Sequence, residues 1–214
     1  KNFKIVRETI EVPTIDFEMK GDIAYVALHE FNANVNLLFY KTMVSALSHN
    51  AKGIVLDLRG DPGGYLEVAV DVAGWFIPRG HIVVSEATRN GIQDQLRANG
   101  NEALVHLPVV VLIDGGSASP SASEILAGAL RDIRHAKLVG VKSFGKGTVQ
   151  QLEDLNDGST IKLTIAHWVL PSGGILENGG LDPDVEVKMT DADAAAKRDP
   201  QLNKALEMVR SQIK

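Results

Sequence analysis

Four serines fall within seven residues in the stretch GGSASPSASEILAGALRD, which runs from Gly115 to Asp132. An apolar run typical of a buried strand precedes these serines, and a helix-like apolar pattern follows them. A serine at such a strand-to-helix turn can act as a nucleophile, because free N–H groups at the helix start stabilise an oxyanion. Ser121 and Glu124 also have the spacing of a capping box, in which both side chains satisfy orphan backbone N–H groups. Both interpretations are open on this motif alone.

A serine nucleophile needs a general base, because its hydroxyl is weakly reactive by itself. The chain has six histidines, but none lies in a recognisable triad context, although a triad assembled in space stays open. The other candidate is a lysine that burial has made partly neutral. Lys146, between two glycines in KSFGKGTVQ, fits this role, while an isolated Gly-Lys-Gly is also compatible with a solvated turn. The full phosphate-loop pattern is absent, so nucleotide binding is discounted.

The elements that would position these residues are those of an α/β protein. The apolar runs GIVLDLR, Gly53–Arg59, and PVVVLID, Pro108–Asp114, predict strands buried on both faces of a parallel sheet. Helices are predicted over 34–50, 65–77 and 121–134, and further strands over 3–12, 15–19, 22–31, 81–87 and 136–140. In the first helix, the residues predicted to face the sheet are Phe39, Met43, Ala46 and Leu47.

The remaining segments predict less regular structure. Arg89–Glu102 is polar and is interpreted as a loop or an exposed flap. GTVQQLEDL and STIKLTIAHWVL predict a hairpin around NDGS. The sequence from Asp191 onward predicts one terminal helix, with an apolar face formed by Leu202, Ala205, Leu206 and Val209.

Composition excludes several classes of protein. The chain of 214 residues is long enough for one large domain with its own core. Its 22 basic and 27 acidic residues give a net charge of -5, which does not favour nucleic acid as a partner. No cysteine is present, so disulfides and thiolate catalysis are excluded. The apolar runs fall short of the ~20 residues of a spanning helix. No leader-like segment opens the sequence, so we expect neither a membrane span nor a retained signal peptide.

Four segments in a fixed order carry a family resemblance: DLRGDPGG, GGSASPSASEILAGALRD, GVKSFGKGTVQ and GGLDPDVEV. Together they resemble the C-terminal processing, or tail-specific, proteases, a family of serine–lysine peptidases. The resemblance extends from about Asn2 to Val187. It implies a ClpP/crotonase-like α/β core, with a twisted sheet flanked by helices. It also implies a β-rich portion drawn from the two chain ends, about 1–30 and 148–190.

The resemblance also implies roles for individual residues. Ser121 matches the nucleophile of the family motif, and Lys146 matches its general base. Gln150 matches a residue that helps orient the lysine, and a strand would place side chains four residues apart on the same face. The family needs no metal and no organic cofactor.

The oxyanion hole implied by the resemblance consists of backbone N–H groups. One belongs to Ala122, and the other to Gly63 or Gly64, where a glycine turn leaves room for a carbonyl oxygen. An ordinary strand-to-helix connection would favour Asp-Pro-Gly-Gly as well. Asp132 matches a position implicated in activity in some members, and a polar residue at a helix end is the alternative interpretation.

Two departures from the family pattern matter. Members commonly read G-S-A-S-A-S-E, whereas this chain inserts Pro120 and a further serine, which makes Ser119 a rival nucleophile. Ser121 is favoured because Glu124 follows it by three residues, as in the motif. Members also usually carry a PDZ module before the catalytic region, and its sequence pattern is missing here. We therefore expect a single protease core domain over residues 1–214.

The sequence thus predicts a serine endopeptidase acting on unfolded or tail-exposed polypeptides. Family resemblance favours an extracytoplasmic location, and an exposed apolar face on the terminal helix would support a homodimer. Two alternatives are a histidine-dependent serine hydrolase and a catalytically silent peptide-binding domain.

Overall fold

The computed structural model describes residues 13–116, 121–176 and 179–213, which form ten strands and five helices. In chain order these are β1 (Ile15–Lys20), β2 (Ile23–Leu28), α1 (Val35–Ser48), β3 (Gly53–Asp57), α2 (Leu66–Phe76), β4 (Ile82–Thr88), β5 (Gly91–Arg97), β6 (Val109–Ile113), α3 (Ser121–Arg134), β7 (Lys137–Gly140), β8 (Thr148–Asp154), β9 (Thr160–Val169), β10 (Val185–Glu186), α4 (Asp191–Ala195) and α5 (Pro200–Gln212). None of these helices combines the length and apolar character needed to cross a bilayer.

The main sheet has the strand order β1-β2-β3-β6-β7-β10. Only β1 runs antiparallel to its neighbour, and the other strand pairs are parallel. Helices α1, α2 and α3 pack on one face and α5 packs on the other. Alternate residues of β3 therefore enter separate cores: Ile54 and Leu56 lie on the side of the three helices, and Val55 lies with Val209 of α5. The continuous apolar runs in β3 and β6 follow from this double coverage, and the predicted α/β class is confirmed.

A second, antiparallel sheet has the order β5-β4-β9-β8. The hairpin predicted around NDGS is confirmed as β8 and β9. Its partner is the β4–β5 hairpin from the middle of the chain, whereas β1 and β2 belong to the main sheet. The strands near the two ends of the described chain are thus divided between the two sheets. The strand predicted over 3–12 lies outside the described residues.

The interpretation of Arg89–Glu102 as a loop or flap is wrong, because β5 occupies much of it. As an outer strand of its sheet, β5 is largely exposed, so it needs no alternation of apolar and polar residues. The turn signal Asn90-Gly91, with Gly91 at a φ of 100°, marks the start of this strand.

Two helix predictions also need correction. Leu47 is 39% exposed. At about 100° per residue it lies roughly 80° around α1 from Phe39, and so it turns away from the buried face. Val35 belongs to the buried face instead. The single terminal helix is instead α4 and α5. Asp199 caps α5 by accepting a hydrogen bond from the Leu202 N–H, and Pro200 occupies the first helical turn.

The apolar face of α5 is not an exposed surface. Ala205, Leu206 and Val209 are buried against the main sheet, and Leu202 packs beside them. A homodimer stays a prediction, but this face no longer supports it.

Arg59, at the end of β3, holds α5 in place. Its guanidinium binds Asp57 through Nε at 2.9 Å and Asp199 through a terminal nitrogen at 2.8 Å. A third hydrogen bond, of 2.7 Å, goes to Gln201 Oε1. Burial alone would lower the pKa of Arg59, but the two carboxylates raise it above its usual value. The Asp-Leu-Arg half of the first family motif is therefore a structural anchor.

Replacing Arg59 with alanine should lower the free energy of unfolding by about 3 kcal/mol, because the buried carboxylate of Asp57 and the partly buried carboxylate of Asp199 would lose their cation. Urea unfolding at neutral pH measures this loss. The matched control is Arg198→Ala, which removes an exposed ion pair with Asp193 and should leave stability almost unchanged. Equal stabilities of the two variants would contradict the anchoring role of Arg59.

Candidate active site

The predicted site residues follow three neighbouring parallel strands. The Gly60–Gly64 turn follows β3, Asp114–Gly116 follows β6, and Lys142–Gly147 follows β7. Because these strands are parallel, the three segments lie at one edge of the main sheet, which is the usual ligand side of such folds. Ser121 is the first residue of α3, the helix that begins at this edge. Ser119 and Pro120 lie outside the described residues, so their predicted effects stay predictions.

Glu124 joins the beginning of α3 to the segment that carries Lys146. Its buried carboxylate accepts hydrogen bonds from the Gly145 N–H at 2.7 Å and from the Lys146 N–H at 2.8 Å. The Ser143 hydroxyl donates a third, short hydrogen bond to it. The capping-box interpretation required Glu124 to turn back toward the start of its own helix. Its oxygens are instead engaged by the lysine segment, which the spacing in the sequence does not reveal.

The fourth family motif supports the same segment. Ser143 Oγ accepts a hydrogen bond of 2.6 Å from the Leu181 N–H. Gly145 has a φ of 92°, and a Cβ there would lie 2.6 Å from the Gly180 nitrogen. A Cβ on Gly180 would overlap the Ser143 carbonyl. These glycines are therefore needed for the close packing of two backbone segments.

Lys146 lies at the centre of a tight turn, closed by a hydrogen bond of 3.1 Å from the Gly147 N–H to the Gly145 carbonyl. The residue is half-buried, and β8 begins only at Thr148. Lys146 is therefore not in the strand, and Gln150 does not share a strand face with it. Gln150 is exposed in β8, opposite Thr164, and its orienting role stays a prediction.

The two glycines proposed for the oxyanion hole are not equivalent. The Gly63 N–H donates to Asp61 Oδ1 at 2.6 Å, so it is already engaged. Gly64 pairs with Phe31 as in a parallel bridge, in which Phe31 bonds the residues on either side of Gly64. The Gly64 N–H consequently points away from Phe31, and no described residue accepts it. The φ of Gly64 is 142°, and a Cβ would overlap the Phe31 carbonyl. Gly64 is thus the better candidate.

Ala122 supplies the other predicted donor. It lies in the first turn of α3, where backbone N–H groups have no partner within the helix. The positive end of the helix dipole favours an anion at the same place. Ala122 and Gly64 therefore match the requirement for two backbone donors, provided by separate elements.

Asp61, which the sequence analysis did not single out, is completely buried under the glycine turn. Besides its bond to the Gly63 N–H, it lies near the Ser123 hydroxyl of α3. Burial raises the pKa of Asp61 to about 7, although these two groups favour the carboxylate. Asp61 Oδ2 and Ser123 Oγ are buried without a well-formed hydrogen bond to any described residue.

Asp132 is not brought to this edge of the sheet. It lies near the other end of α3, about 16 Å from Ser121 at 1.5 Å per residue. Its carboxylate accepts hydrogen bonds from Arg131 Nε and from the Ser172 N–H, at 2.9 and 3.0 Å. These contacts match the interpretation as a helix-end residue.

One histidine lies next to the lysine turn. His167 is opposite Thr148 in the β8–β9 pair, and the Trp168 N–H donates to the Gly147 carbonyl at 2.7 Å. The sequence placed His167 within a strand but gave no reason to place it beside Lys146. Across the described ranges, no three His, Asp or Glu side chains are grouped so as to hold a metal ion.

Known proteins resemble this chain over most of its length. Residues 22–187 match the sequence profile of "Peptidase family S41". The chain is 36% identical over 190 residues to a "Probable CtpA-like serine protease" of Staphylococcus epidermidis, covering 87% of this chain and 38% of that protein. It is 36% identical over 191 residues to the "Carboxy-terminal processing protease CtpA" of Bacillus subtilis, and this match covers 89% of this chain and 40% of that protein.

A solved structure, the "photosystem II D1 C-terminal processing protease", aligns with a TM-score of 0.77 at 33% identity. The alignment covers 85% of this chain and 50% of that one. The chain thus spans about two fifths of the length of these curated relatives and half of this solved chain. The match of the family profile to residues 22–187, together with these relatives, shows that the chain belongs to peptidase family S41.

Proposed function

We propose that this chain is the catalytic core of a serine peptidase that hydrolyses polypeptides, with Ser121 as nucleophile and Lys146 as general base. Neutral Lys146 Nζ accepts the Ser121 hydroxyl proton while Oγ attacks the peptide carbonyl. The resulting ammonium then protonates the leaving amine as the C–N bond breaks. Water hydrolyses the acyl-enzyme, with Lys146 acting again as base, and this step restores the serine.

The observation that carries the proposal is the bridge made by Glu124. One buried carboxylate, three residues beyond Ser121, binds the backbone N–H groups of Gly145 and Lys146. These hydrogen bonds tie the first turn of the helix to the turn at Lys146, which holds the backbone of Ser121 close to a fixed position relative to that of Lys146. Such positioning is worth many kcal/mol when it replaces a random encounter. A chain in which Lys146 merely occupied a solvated turn would not need this bridge.

The oxyanion of the tetrahedral intermediate is assigned to the N–H groups of Ala122 and Gly64. Both are backbone donors held by elements that cannot easily relax, so they stabilise charge without reorganising. Gly63 is excluded from this role while its N–H binds Asp61.

Substrates are proposed to be unfolded or tail-exposed polypeptides. Within the described residues, β8 is an outer strand of the second sheet and begins two residues after Lys146. An extended peptide can add to such a strand through backbone hydrogen bonds. The names of the Bacillus and photosystem relatives refer to carboxy-terminal processing, which fits a peptide entering by its end. An extracytoplasmic location is proposed on family resemblance.

Ser121→Ala and Lys146→Ala should each lower the cleavage of unfolded casein by at least about 10⁴-fold, because the nucleophile and its base act as a unit. Wild-type activity should rise with pH as the lysine loses its proton. The assay compares initial rates for wild type and variants between pH 6 and 10.

Two variants act as controls in that assay. Ser119→Ala should retain activity, and its inactivity beside an active Ser121→Ala would transfer the nucleophile to Ser119. His167→Gln tests the histidine-dependent alternative, because His167 is the histidine placed beside the lysine turn. Loss of activity in His167→Gln with full activity in Lys146→Ala would sink the lysine assignment. An inert wild type that no serine-reactive probe labels would favour the silent binding domain.

Glu124→Gln should lower kcat by up to about 100-fold with little change in KM, because an amide N–H₂ would oppose at least one backbone donor and displace the lysine turn. Hydrogen exchange at the Gly145 and Lys146 amides should become faster at the same time. Glu67→Gln, an exposed replacement in α2, is the matched control. Unchanged exchange together with unchanged kcat would show that the bridge is dispensable.

A further inference from the structure

In the buried carboxyl of Asp61, only one of the two oxygens has a well-formed hydrogen bond to a described residue. Oδ1 accepts from the Gly63 N–H, while Oδ2 is shielded from solvent without a well-formed hydrogen bond to a described residue. An ionised carboxylate in this state would leave one charged oxygen uncompensated, which is costly in a protein interior. Unpaired buried charges of this kind usually take up a proton instead.

A second buried polar atom without a well-formed hydrogen bond lies on helix α3. Ser123 Oγ, in the first turn of α3, is buried and also lacks a well-formed partner among the described residues. It lies close enough to Asp61 to affect that carboxyl. A proton on Oδ2 would pair both atoms in one hydrogen bond, from the Asp61 O–H to Ser123 Oγ. The Ser123 hydroxyl donating to an ionised Oδ2 would pair the same two atoms, but it would leave a full charge completely buried with no ion-pair partner among the described residues.

We propose that Asp61 is a positioning residue that works as a neutral acid, accepting from the Gly63 N–H and donating to Ser123 Oγ. In this form it joins the glycine turn to the first turn of α3, so the donors on Gly64 and Ala122 are held relative to each other. The inference rests on the proposed function, because that pair of donors is the proposed oxyanion site. It adds a proton requirement that the serine–lysine mechanism does not contain, so the rise of wild-type activity with pH should stop near the pKa of Asp61 and continue to higher pH only in Asp61→Asn.

The ionised form would harm the site in two ways. Its Oδ2 could no longer donate to Ser123, so the hydrogen bond between turn and helix would have to reverse, with the Ser123 hydroxyl as its donor. Its negative charge would also lie beside the place where the oxyanion develops. The charged neighbours act in opposite directions, because His29 favours ionisation of Asp61 and Glu30 opposes it. Burial raises the pKa of Asp61 to about 7, which puts its ionisation within the working range of an enzyme.

Asparagine is the natural probe, since its amide accepts through oxygen and donates through nitrogen, as the neutral acid does, but does not titrate. Asp61→Asn should keep kcat near wild type below pH 6 and exceed it roughly 10-fold or more at pH 9. Asp61→Ala should lose about 100-fold in kcat at every pH, with little change in KM, because the turn is released. Asp94→Asn, an exposed change in β5, is the control for the loss of one acidic group. kcat and KM are measured on a peptide spanning a casein cleavage site.

The free energy of unfolding supplies a readout without catalysis. An unfolded aspartate has a pKa near 3.9, so a native value of about 7 means that wild type loses stability as pH rises between these values. Asp61→Asn lacks this loss, so its stability relative to wild type should grow from pH 4 to pH 7 and then level off. Urea unfolding of wild type, Asp61→Asn and Asp94→Asn at several pH values measures this difference.

A difference between Asp61→Asn and wild type that does not vary with pH would overturn the proposal, as would Asp61→Asn being folded but as inactive as Asp61→Ala. If wild type itself cleaves nothing, the proposed function fails, and the unfolding data still decide whether Asp61 is neutral.

Discussion

The carboxylate of Glu124 is the contact on which the geometry of the candidate site depends. It is buried, and it is surrounded by three donors from the segment that follows β7. A buried charge is tolerated only when its hydrogen bonds are complete, so the surrounding backbone is held to positions that keep them complete. The tight turn at Lys146 and the close packing of Gly145 on Gly180 follow from that requirement. The hydrogen bonds required by one buried carboxylate thereby constrain the backbone of the start of α3, of the segment that carries Lys146 and of the segment that contains Gly180.

Glu124 and Asp61 are both buried, but they differ in the number of hydrogen bonds that their carboxyl groups accept from described residues. Glu124 accepts three hydrogen bonds from the segment that carries Lys146, while Asp61 has one clear donor and a raised pKa. The donors available, more than the depth of burial, separate the two cases. The raised pKa of Asp61 reduces negative charge at the glycine side of the site, where an oxyanion would form.

Much of the fold was readable from the sequence because the main sheet is covered on both faces. Continuous apolar runs identified β3 and β6, and the helix α3 was predicted with its observed bounds. The failures have physical causes. The strand β5 is an outer, exposed strand and so carries no apolar alternation, and the terminal helix was broken by Asp199 and Pro200 acting together.

For the site, motif order and spacing identified the segments but not their contacts. The capping-box pattern describes only neighbours along one helix, whereas the hydrogen-bond partners of Glu124 lie 21 and 22 residues away. Asp61 was passed over because nothing in Asp-Pro-Gly-Gly states how deeply it is buried. The choice between Gly63 and Gly64 likewise required the direction of each N–H group, which only tertiary structure defines.

The anchoring of β3 by Arg59 has a consequence for the order of assembly during synthesis. The bond from Arg59 to Asp199 joins residues 140 positions apart, whereas Glu124 and Lys146 are separated by 22. A chain that is still on the ribosome can form the hydrogen bond between Glu124 and Lys146 early. The end of β3, before the glycine turn, has no anchor until residues near 200 have emerged. Contacts of such long range are also the slowest to form, because loop closure must come first. The glycine turn thus receives its support only after residues near 200 have been synthesised.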